Sequence, residues 1–222
     1  EIAPRPIELA DLVLVVEDLA FLGVERVAQI EDVLFLLVDD LAQAKELALH
    51  SWGVQLAGST LPWSKSAYRY ARNEGGAPRS TVVNYGLKTS MVNAAFVNGT
   101  FGHGFEMDDN HTATGVKGGC VVIPAVLAAA EQNVSSGKEF IVATVAAYEV
   151  MARVGLSVAV ALWKSGHHAT GACGPFGAAV AAGRLMRFDE RMMLHALSIA
   201  GAHSCGLTES PASGRGELKR IF

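Results

Sequence analysis

The residue types needed for acid–base chemistry are concentrated in one stretch of the sequence, residues 98–124, NGTFGHGFEMDDNHTATGVKGGCVVIP. Its ionisable side chains are His103, Glu106, Asp108, Asp109, His111 and Lys117. Apolar segments on both sides predict burial, and buried ionisable groups are costly unless they are paired or used in chemistry. The pattern therefore indicates either a proton-transfer site or a solvated acidic helix end with its cap, and spacing alone leaves both open.

A second stretch, residues 167–177 with the sequence HHATGACGPFG, places His168 just ahead of a predicted helix. The positive end of a helix dipole disfavours imidazolium and so favours a neutral, basic ring near pH 7. Such a histidine can remove a proton beside a carboxylate, a contribution of roughly 10²–10⁴-fold to the rate. The alternative is a histidine that is hydrogen-bonded in the core. We expect the two stretches to form opposite walls of one pocket.

Each stretch also contains a glycine turn before a helix, VKGG at residues 116–119 and GACGP at residues 171–175. Glycines let backbone N–H groups approach an anion, and a helix N-terminus attracts one. Two such turns, each near a cation or a histidine, suit a substrate with several carboxylates, although ordinary helix starts contain the same glycines. Neither turn matches a P-loop or a GxGxxG dinucleotide motif.

The three cysteines, Cys120, Cys173 and Cys205, are scattered and form no CxxC pair. An odd, scattered set is typical of a reducing compartment, so we expect a cytoplasmic protein. The first residues, EIAPRPIELADL, have acids where a signal peptide has a basic and then an apolar run. Zinc-ligand spacing is missing, so no metal is predicted. A nucleophilic pair of Cys173 and His168 is a weaker alternative, because five residues around a turn do not ensure contact.

The composition favours a core-rich protein with extensive buried surface. The 222-residue chain is half hydrophobic and 18% charged, with a net charge of −4 and a mean hydropathy of +0.29. We expect a homodimer, because little surface charge favours burial between subunits. Nucleic acid is not an expected partner, since there is no basic run. Nor is a membrane, because Glu149 and Arg153 interrupt the most apolar segment, Phe140–Trp163, one helical turn apart, where they can pair.

Hydrophobic periodicity and its punctuation predict an all-α helical bundle. The predicted helices cover residues 7–21, 24–58, 63–73, 90–107, 120–133, 136–162, 175–186 and 189–206. Ser136 and Glu139 have capping-box spacing, Asp189 is a predicted N-cap, and Pro175 is a predicted first helical residue. Residues 79–88 form at most one short β-hairpin. No linker or repeat divides the chain, so residues 1–222 are expected to form a single helical domain.

Several ordered segments together resemble one known family, that of 2-methylcitrate dehydratase (MmgE/PrpD). These segments are VNGTFGHGFEMDDNH, GGCVVIPAVLAAAE, SGKEFIVATVAAYEVMARVG, HHATGACGPFGAAVAAGRL and ALSIAGAHSCGL. The family also contains cis-aconitate decarboxylase and an iminodisuccinate epimerase. The match runs from about Ala42 to Arg220. The resemblance implies a helical domain followed by an α/β lid domain, small di- and tricarboxylate substrates, no metal or organic cofactor, and a dimer.

The resemblance covers only the N-terminal portion of the helical domain, so the lid is expected to be absent and the chain incomplete as an enzyme. It implies catalytic roles for five residues: His168, Lys117, Asp108, Asp109 and His111. It implies substrate contacts for seven others: Glu106, Asn110, Gly118, Gly119, Gly171, Lys219 and Arg220. Asn110 stands where the family usually has threonine, and Lys117 stands where it has a histidine.

The lysine is the departure with the clearest chemical consequence. With an ordinary pKa of about 10.4, Lys117 is protonated at pH 7, and a base role would need a downward shift of about three units. Such a shift needs strong burial of the ammonium. We therefore expect Lys117 to bind a substrate anion or act as an acid, which leaves His168 as the better candidate base.

Two functional hypotheses follow. The first is a cofactor-independent lyase or isomerase that transfers a proton next to a carboxylate of a small di- or tricarboxylate. His168 would move the proton, Lys117 and Lys219 would hold carboxylates, and the acids would orient the histidines or polarise a hydroxyl. The second is a non-catalytic, truncated helical domain that binds carboxylates or mediates dimerisation. Dehydration, decarboxylation and epimerisation all remain open under the first.

Overall fold

The structure is a computed structural model that describes residues 38–207. Within this range the chain forms seven α-helices and one two-stranded antiparallel sheet. The elements are α1 (Val38–Gly58), α2 (Pro62–Glu74), β1 (Ser80–Thr81), β2 (Lys88–Thr89), α3 (Met91–His103), α4 (Val122–Asn133), α5 (Gly137–Lys164), α6 (Ala169–Leu185) and α7 (Glu190–Ala202). The predicted all-α class with one short hairpin is confirmed. The elements predicted before residue 38, and the candidate residues Lys219 and Arg220, lie outside the described range.

The core is centred on α6, which packs against α4, α5 and α7. Its small residues make this close packing possible: a Cβ built at Gly177 would lie 3.1 Å from the Cβ of Met151 on α5. Phe176 and Val180 on α6 are almost completely buried. The helix is therefore the central element of the bundle, and it carries His168 at its N-terminus.

The prediction that Pro175 starts a helix is wrong. Helix α6 begins at Ala169, with His168 as N-cap, and Pro175 lies inside it. His168 accepts the Gly171 N–H through its ring, and the Ala172 N–H bonds to the His168 carbonyl oxygen at 3.0 Å. The proline removes one N–H from the helical ladder, but the buried faces on both sides of it hold the helix together.

Helix α3 presents the acidic loop to the rest of the bundle. It is tied to the hairpin by buried Asn98, whose amide donates to the Thr81 carbonyl and accepts from the Val83 N–H, both at 2.9 Å. On its other side, α1 approaches so closely that a Cβ built at Gly58 would overlap the carbonyl oxygen of Phe101. These contacts fix the end of α3, where His103 is the last helical residue.

The start of α5 shows the predicted capping box, in which Ser136 accepts the Glu139 N–H and Glu139 accepts the Ser136 N–H. Asp189 caps α7, also as predicted. Arg153 donates to Glu149 within α5 at 2.6 Å. By length and composition alone, residues 137–158 of α5 could cross a membrane; half of them are buried in the described fold, and core helices of soluble proteins meet the same criterion.

Candidate active site

The candidate site lies where the loop after α3 meets the N-terminus of α6. Helix α3 was expected to continue to residue 107, but it ends at His103, so the acids of the first stretch lie in the following loop. Glu106 has a φ of 57°, in the left-handed region that favours glycine. This turn directs the Glu106 carboxylate back towards Lys117.

Four ionisable side chains, at the end of α3 and in the loop that follows, form what we call the ionic cluster: His103, Glu106, Asp108 and Lys117. Asp108 is its centre. One oxygen of Asp108, Oδ2, lies 2.8 Å from Nδ1 of His103, and the other, Oδ1, accepts a hydrogen bond from Nζ of Lys117 at 2.8 Å. Glu106 lies farther out, 3.3 Å from Lys117 and 3.7 Å from Nε2 of His103.

Burial and charge act against each other in the ionic cluster. Burial by itself would raise the pKa of Asp108, but its electrostatic interactions and hydrogen bonds with His103 and Lys117 lower it to about 2. Burial would lower the pKa of Lys117, but the carboxylates of Asp108 and Glu106 outweigh it and raise that pKa. Lys117 is therefore a stable ammonium at neutral pH, and the structure gives no support to a base role for it.

The second stretch lies against the ionic cluster. The Lys117 N–H donates to Oγ1 of Thr170 at 3.0 Å, which joins the acidic loop to the first turn of α6. The imidazole rings of His103 and His168 lie 6.2 Å apart between centroids and meet edge to face. Both histidines are buried, with 3% and 8% of their surface exposed. His168 therefore shares a site with Asp108 and Lys117.

Asp109 points in a different direction from Asp108. Its Oδ1 accepts the Gly119 N–H at 2.6 Å, and its carboxylate lies near the buried hydroxyl of Tyr148 on α5, outside hydrogen-bonding geometry. Burial raises the pKa of Asp109, and the Gly119 N–H offsets part of this rise. Burial and the Asp109 charge raise the pKa of Tyr148.

The two glycines of the VKGG turn have a packing role. A Cβ at Gly118 would overlap the ring of Tyr148, and a Cβ at Gly119 would overlap the Asp109 carboxylate. The anion that the Gly119 N–H binds is the protein's own Asp109, so this N–H is not open to a substrate. Gly171 is similarly constrained, because a Cβ there would lie 2.8 Å from the Cys205 carbonyl oxygen.

Asn110 and His111 lie apart from the ionic cluster. Both are exposed, and with Asp109, Gly118 and Tyr148 they line an open groove of about 400 Å³ between the loop and helices α1 and α5. His111 bridges to Val116 through its backbone, and its Nδ1 lies 2.9 Å from Oγ1 of Thr114. Its contacts serve the local turn.

The comparison with protein families decides the identity. A family model described as the MmgE/PrpD N-terminal domain matches residues 36–220. The chain belongs to the MmgE/PrpD family. This agrees with the resemblance drawn from the sequence motifs.

Curated relatives give the same assignment. The MmgE/PrpD domain is 32% identical over 187 residues to "Cis-aconitate decarboxylase-like protein oryM" of Aspergillus oryzae, covering 81% of this chain and 38% of the relative. It is 30% identical over 185 residues to "Cis-aconitate decarboxylase" of Aspergillus terreus, covering 81% of this chain and 37% of the relative. The chain thus spans less than two-fifths of the length of these relatives.

Three residues of the site were not singled out from the sequence of this MmgE/PrpD domain. His103 was ambiguous, because its place at a helix end beside acids did not show that it would pair with Asp108. Thr170 lies within the second stretch but was not selected there, and Tyr148 gave no signal, since it lies in an apolar segment far from the acidic loop. From sequence, residues that contact a site from a distant segment can be recognised only as polar residues on a helical face that is otherwise predicted to be buried.

A set of possible metal donors does form within the MmgE/PrpD site. Donor atoms of His103, Asp108 and Cys120 lie within 4.8 Å of one another, which sequence spacing did not predict. Burial and the nearby carboxylates raise the pKa of Cys120 well above its usual range. Asp108 is already bound by Lys117 and His103, and Cys120 is a thiol near neutral pH, so the set does not fit a zinc site, which needs deprotonated ligands.

The thiols of the MmgE/PrpD domain allow a direct chemical test. Burial raises the pKa of Cys173 to about 12, and Cys173 and Cys120 are buried, whereas Cys205 is exposed. We expect iodoacetamide to label Cys205 in the folded protein and to leave Cys173 and Cys120 unlabelled, because thiolate and access are both needed. Peptide mass spectrometry before and after unfolding in urea measures this. Rapid labelling of Cys173 in the folded protein would restore the thiol-nucleophile alternative.

Proposed function

We propose that the chain supplies the proton-transfer half of a cofactor-independent lyase or isomerase that acts next to a carboxylate of a small di- or tricarboxylate. The observation that carries this proposal is the ionic cluster beside His168: an ammonium that binds carboxylates lies beside two buried imidazoles. Cofactor-free chemistry at such a carbon needs a group that holds the anion and a group that moves the proton. Both lie within the described residues.

Lys117 is the anion-binding group in this proposal. Its two ion pairs differ in distance and exposure. Nζ of Lys117 lies 2.8 Å from the Asp108 carboxylate, whose side chain is 3% exposed, and 3.3 Å from the Glu106 carboxylate, whose side chain is 29% exposed. A substrate carboxylate approaching from solvent therefore displaces Glu106 more easily than Asp108. Asp108 stays in place and keeps Lys117 and His103 in position while the substrate binds.

His168 is the proton-transfer group that the sequence predicted. Its place at the N-cap of a 17-residue helix puts the positive end of the helix dipole beside the ring. The same dipole favours a substrate carboxylate near the ring. Two curated relatives are named for the decarboxylation of cis-aconitate or a similar reaction, which supports a lyase reaction on a tricarboxylate.

A homodimer in the cytoplasm is part of the proposal. Leu156, Val160 and Trp163 follow one face of α5 and are between 61% and 64% exposed, which is typical of an interface. The three cysteines are free, which suits a reducing compartment. A second candidate function is carboxylate binding without turnover, which the Lys117 ammonium beside the partly exposed Glu106 supports by itself.

Carboxylate binding can be measured by thermal unfolding with citrate, with acetate as the monovalent comparison. At tenfold excess over Kd, we expect citrate to add about 1.4 kcal/mol and raise Tm by about 3–5 °C. Lys117→Gln should abolish this rise, because it removes the ammonium. Lys164→Gln, which changes an exposed lysine at the end of α5, should keep it. An equal citrate shift in the Lys117→Gln variant would exclude Lys117 as the binding group.

A further inference from the structure

We propose that His103 and His168 have opposite tautomers and different roles, in which Nε2 of His103 accepts the substrate proton and the Nε2–H of His168 donates a hydrogen bond to the leaving group. This inference rests on the proposed function and assigns which ring takes the proton and which ring stabilises the leaving group. It moves the base role from His168, where the sequence placed it, to His103.

The tautomer of His103 follows from its bond to Asp108. An ionised carboxylate can only accept hydrogen bonds, and Oδ2 of Asp108 lies 2.8 Å from Nδ1 of His103. The Nδ1 atom must therefore carry the proton. A neutral imidazole has one N–H, so its Nε2 then holds the lone pair and is the basic atom.

The surroundings of His103 suit a base. When its Nε2 accepts a proton, the ring becomes positive, and a buried carboxylate at Nδ1 stabilises that charge, as in serine-protease triads. Glu106 lies 3.7 Å from Nε2 and adds a second negative group. Nε2 of His103 is buried, and Glu106 and Lys117 are the most exposed members of the ionic cluster, with 29% and 17% of their side chains exposed. In this proposal a substrate carboxylate reaches Nε2 by displacing Glu106 from Lys117.

The tautomer of His168 is the opposite one. The Gly171 N–H donates to Nδ1 of His168 at 3.4 Å, so Nδ1 is the acceptor and Nε2 carries the proton. The first turn of α6 fixes this arrangement, because His168 is the N-cap and Gly171 lies three residues on. In this tautomer Nε2 carries the proton, so Nε2 donates a hydrogen bond and cannot accept the substrate proton.

The two rings are close enough to act on one small substrate. Their centroids are 6.2 Å apart, and each group must lie within about 3 Å of the atom it serves. In an elimination, the C–H bond beside the carboxylate breaks and its proton goes to Nε2 of His103. The electron pair forms the C=C bond and the C–O bond breaks. The Nε2–H of neutral His168 hydrogen-bonds to the leaving oxygen, which takes a proton from solvent and leaves as water. His103 then releases the proton from Nε2 to solvent, and His168 keeps its tautomer throughout.

The tautomers can be tested without a substrate. We would record two-bond ¹H–¹⁵N correlation spectra of the ¹⁵N-histidine-labelled protein at pH 8 and assign the two rings by single substitution. The expected result is a proton on Nδ1 of His103 and on Nε2 of His168. A proton on Nε2 of His103, or on Nδ1 of His168, would overturn the proposal whether or not the chain is active.

A matched pair of asparagine variants tests the roles. His103→Asn keeps an amide donor for Asp108 but lacks Nε2, and His168→Asn keeps a cap acceptor for the Gly171 N–H but lacks Nε2. We expect His103→Asn to slow C–H exchange in D₂O by about 10²-fold or more. His168→Asn should leave the rate of C–H exchange unchanged and slow the formation of the elimination product by a similar factor.

Equal exchange in His103→Asn and the unmodified chain would show that His103 is structural and would overturn the inference. Loss of exchange in His168→Asn alone would return the base role to His168. Absence of exchange and product in the unmodified chain would instead count against the proposed function. The tautomer spectra would still show whether His103 and His168 have the tautomers proposed here. Urea unfolding of each variant shows whether a loss of rate is merely a loss of folded protein.

Discussion

Replacing Asp108 by asparagine is expected to lower the free energy of unfolding by about 3 kcal/mol, because one partner of a buried charge network is removed. Asp108 binds both His103 and Lys117, and its side chain is 3% exposed. An asparagine side chain keeps one acceptor oxygen, but its NH₂ group then faces a second donor. We also expect turnover to fall by about 10²-fold or more, because the same residue holds both functional groups in place.

The neighbouring Asp109→Asn is the matched control. The amide oxygen of the new asparagine can still accept the Gly119 N–H. Because burial already raises the pKa of Asp109, removing its charge costs less stability than removing that of Asp108. We expect a cost of about 1 kcal/mol. Urea unfolding of both variants at pH 7 measures the difference. Equal losses of unfolding free energy in the two variants would show that the Asp108 network stabilises the fold no more than the single hydrogen bond of Asp109.

The stabilisation from Asp108 should depend on pH. Its pKa falls from 3.8 to about 2 on folding, so its ionised form contributes roughly 2 kcal/mol of stability. Because the folded pKa is the lower one, this stabilisation is complete above the unfolded value and is lost as the pH falls towards 2. We expect the difference in free energy of unfolding between the unmodified protein and Asp108→Asn to shrink as the pH falls from the unfolded pKa towards 2. A difference that stays constant between pH 5 and pH 2.5 would contradict the ion-pair explanation.

Replacing Gly58 by alanine is expected to destabilise the fold by about 3 kcal/mol, since the new methyl group overlaps a backbone carbonyl that cannot rotate away. That carbonyl belongs to Phe101 on α3, two residues before His103. The helices must separate, and the end of α3 must move with them. We therefore expect the His103–Asp108 hydrogen bond to weaken and activity to fall together with stability.

Gly53 provides the control within the same helix. A Cβ at Gly53 has nothing within 4 Å, so Gly53→Ala removes only the flexibility of glycine. It should stabilise the protein by about 0.5–1 kcal/mol. Thermal and urea unfolding of both variants give the comparison. If Gly58→Ala were as stable as Gly53→Ala, the close approach of α1 and α3 would not be a feature of the folded protein.

Much of the fold could be predicted from the sequence because local signals and global packing agree. The capping box at Ser136 and the N-cap at Asp189 lie where their side chains predicted. The start of α6 could not be predicted, because a histidine cap is unusual and Pro175 is a stronger local signal. Burial of the small residues that follow outweighs the cost of the proline.

The candidate site was predicted in part. Nearness in sequence indicated that Asp108 and Lys117 belong together, and His168 was predicted from its position just ahead of a helix in the second stretch. Sequence could not show that Asp108 and Asp109 point in different directions, since this depends on the left-handed turn at Glu106 and on the packing of Tyr148 over Gly118. His103 became a candidate only when its ring was seen bound to Asp108 and near His168.

Proton NMR in D₂O with a panel of di- and tricarboxylates, including 2-methylcitrate and cis-aconitate, tests the central claim most directly. We predict loss of a C–H signal beside a carboxylate with at least one member of the panel, and no such loss with the Asp108→Asn variant. New signals would identify the product and the reaction. Retention of every C–H signal by the unmodified, folded protein, even though citrate raises its Tm through Lys117, would contradict proton transfer and favour carboxylate binding alone.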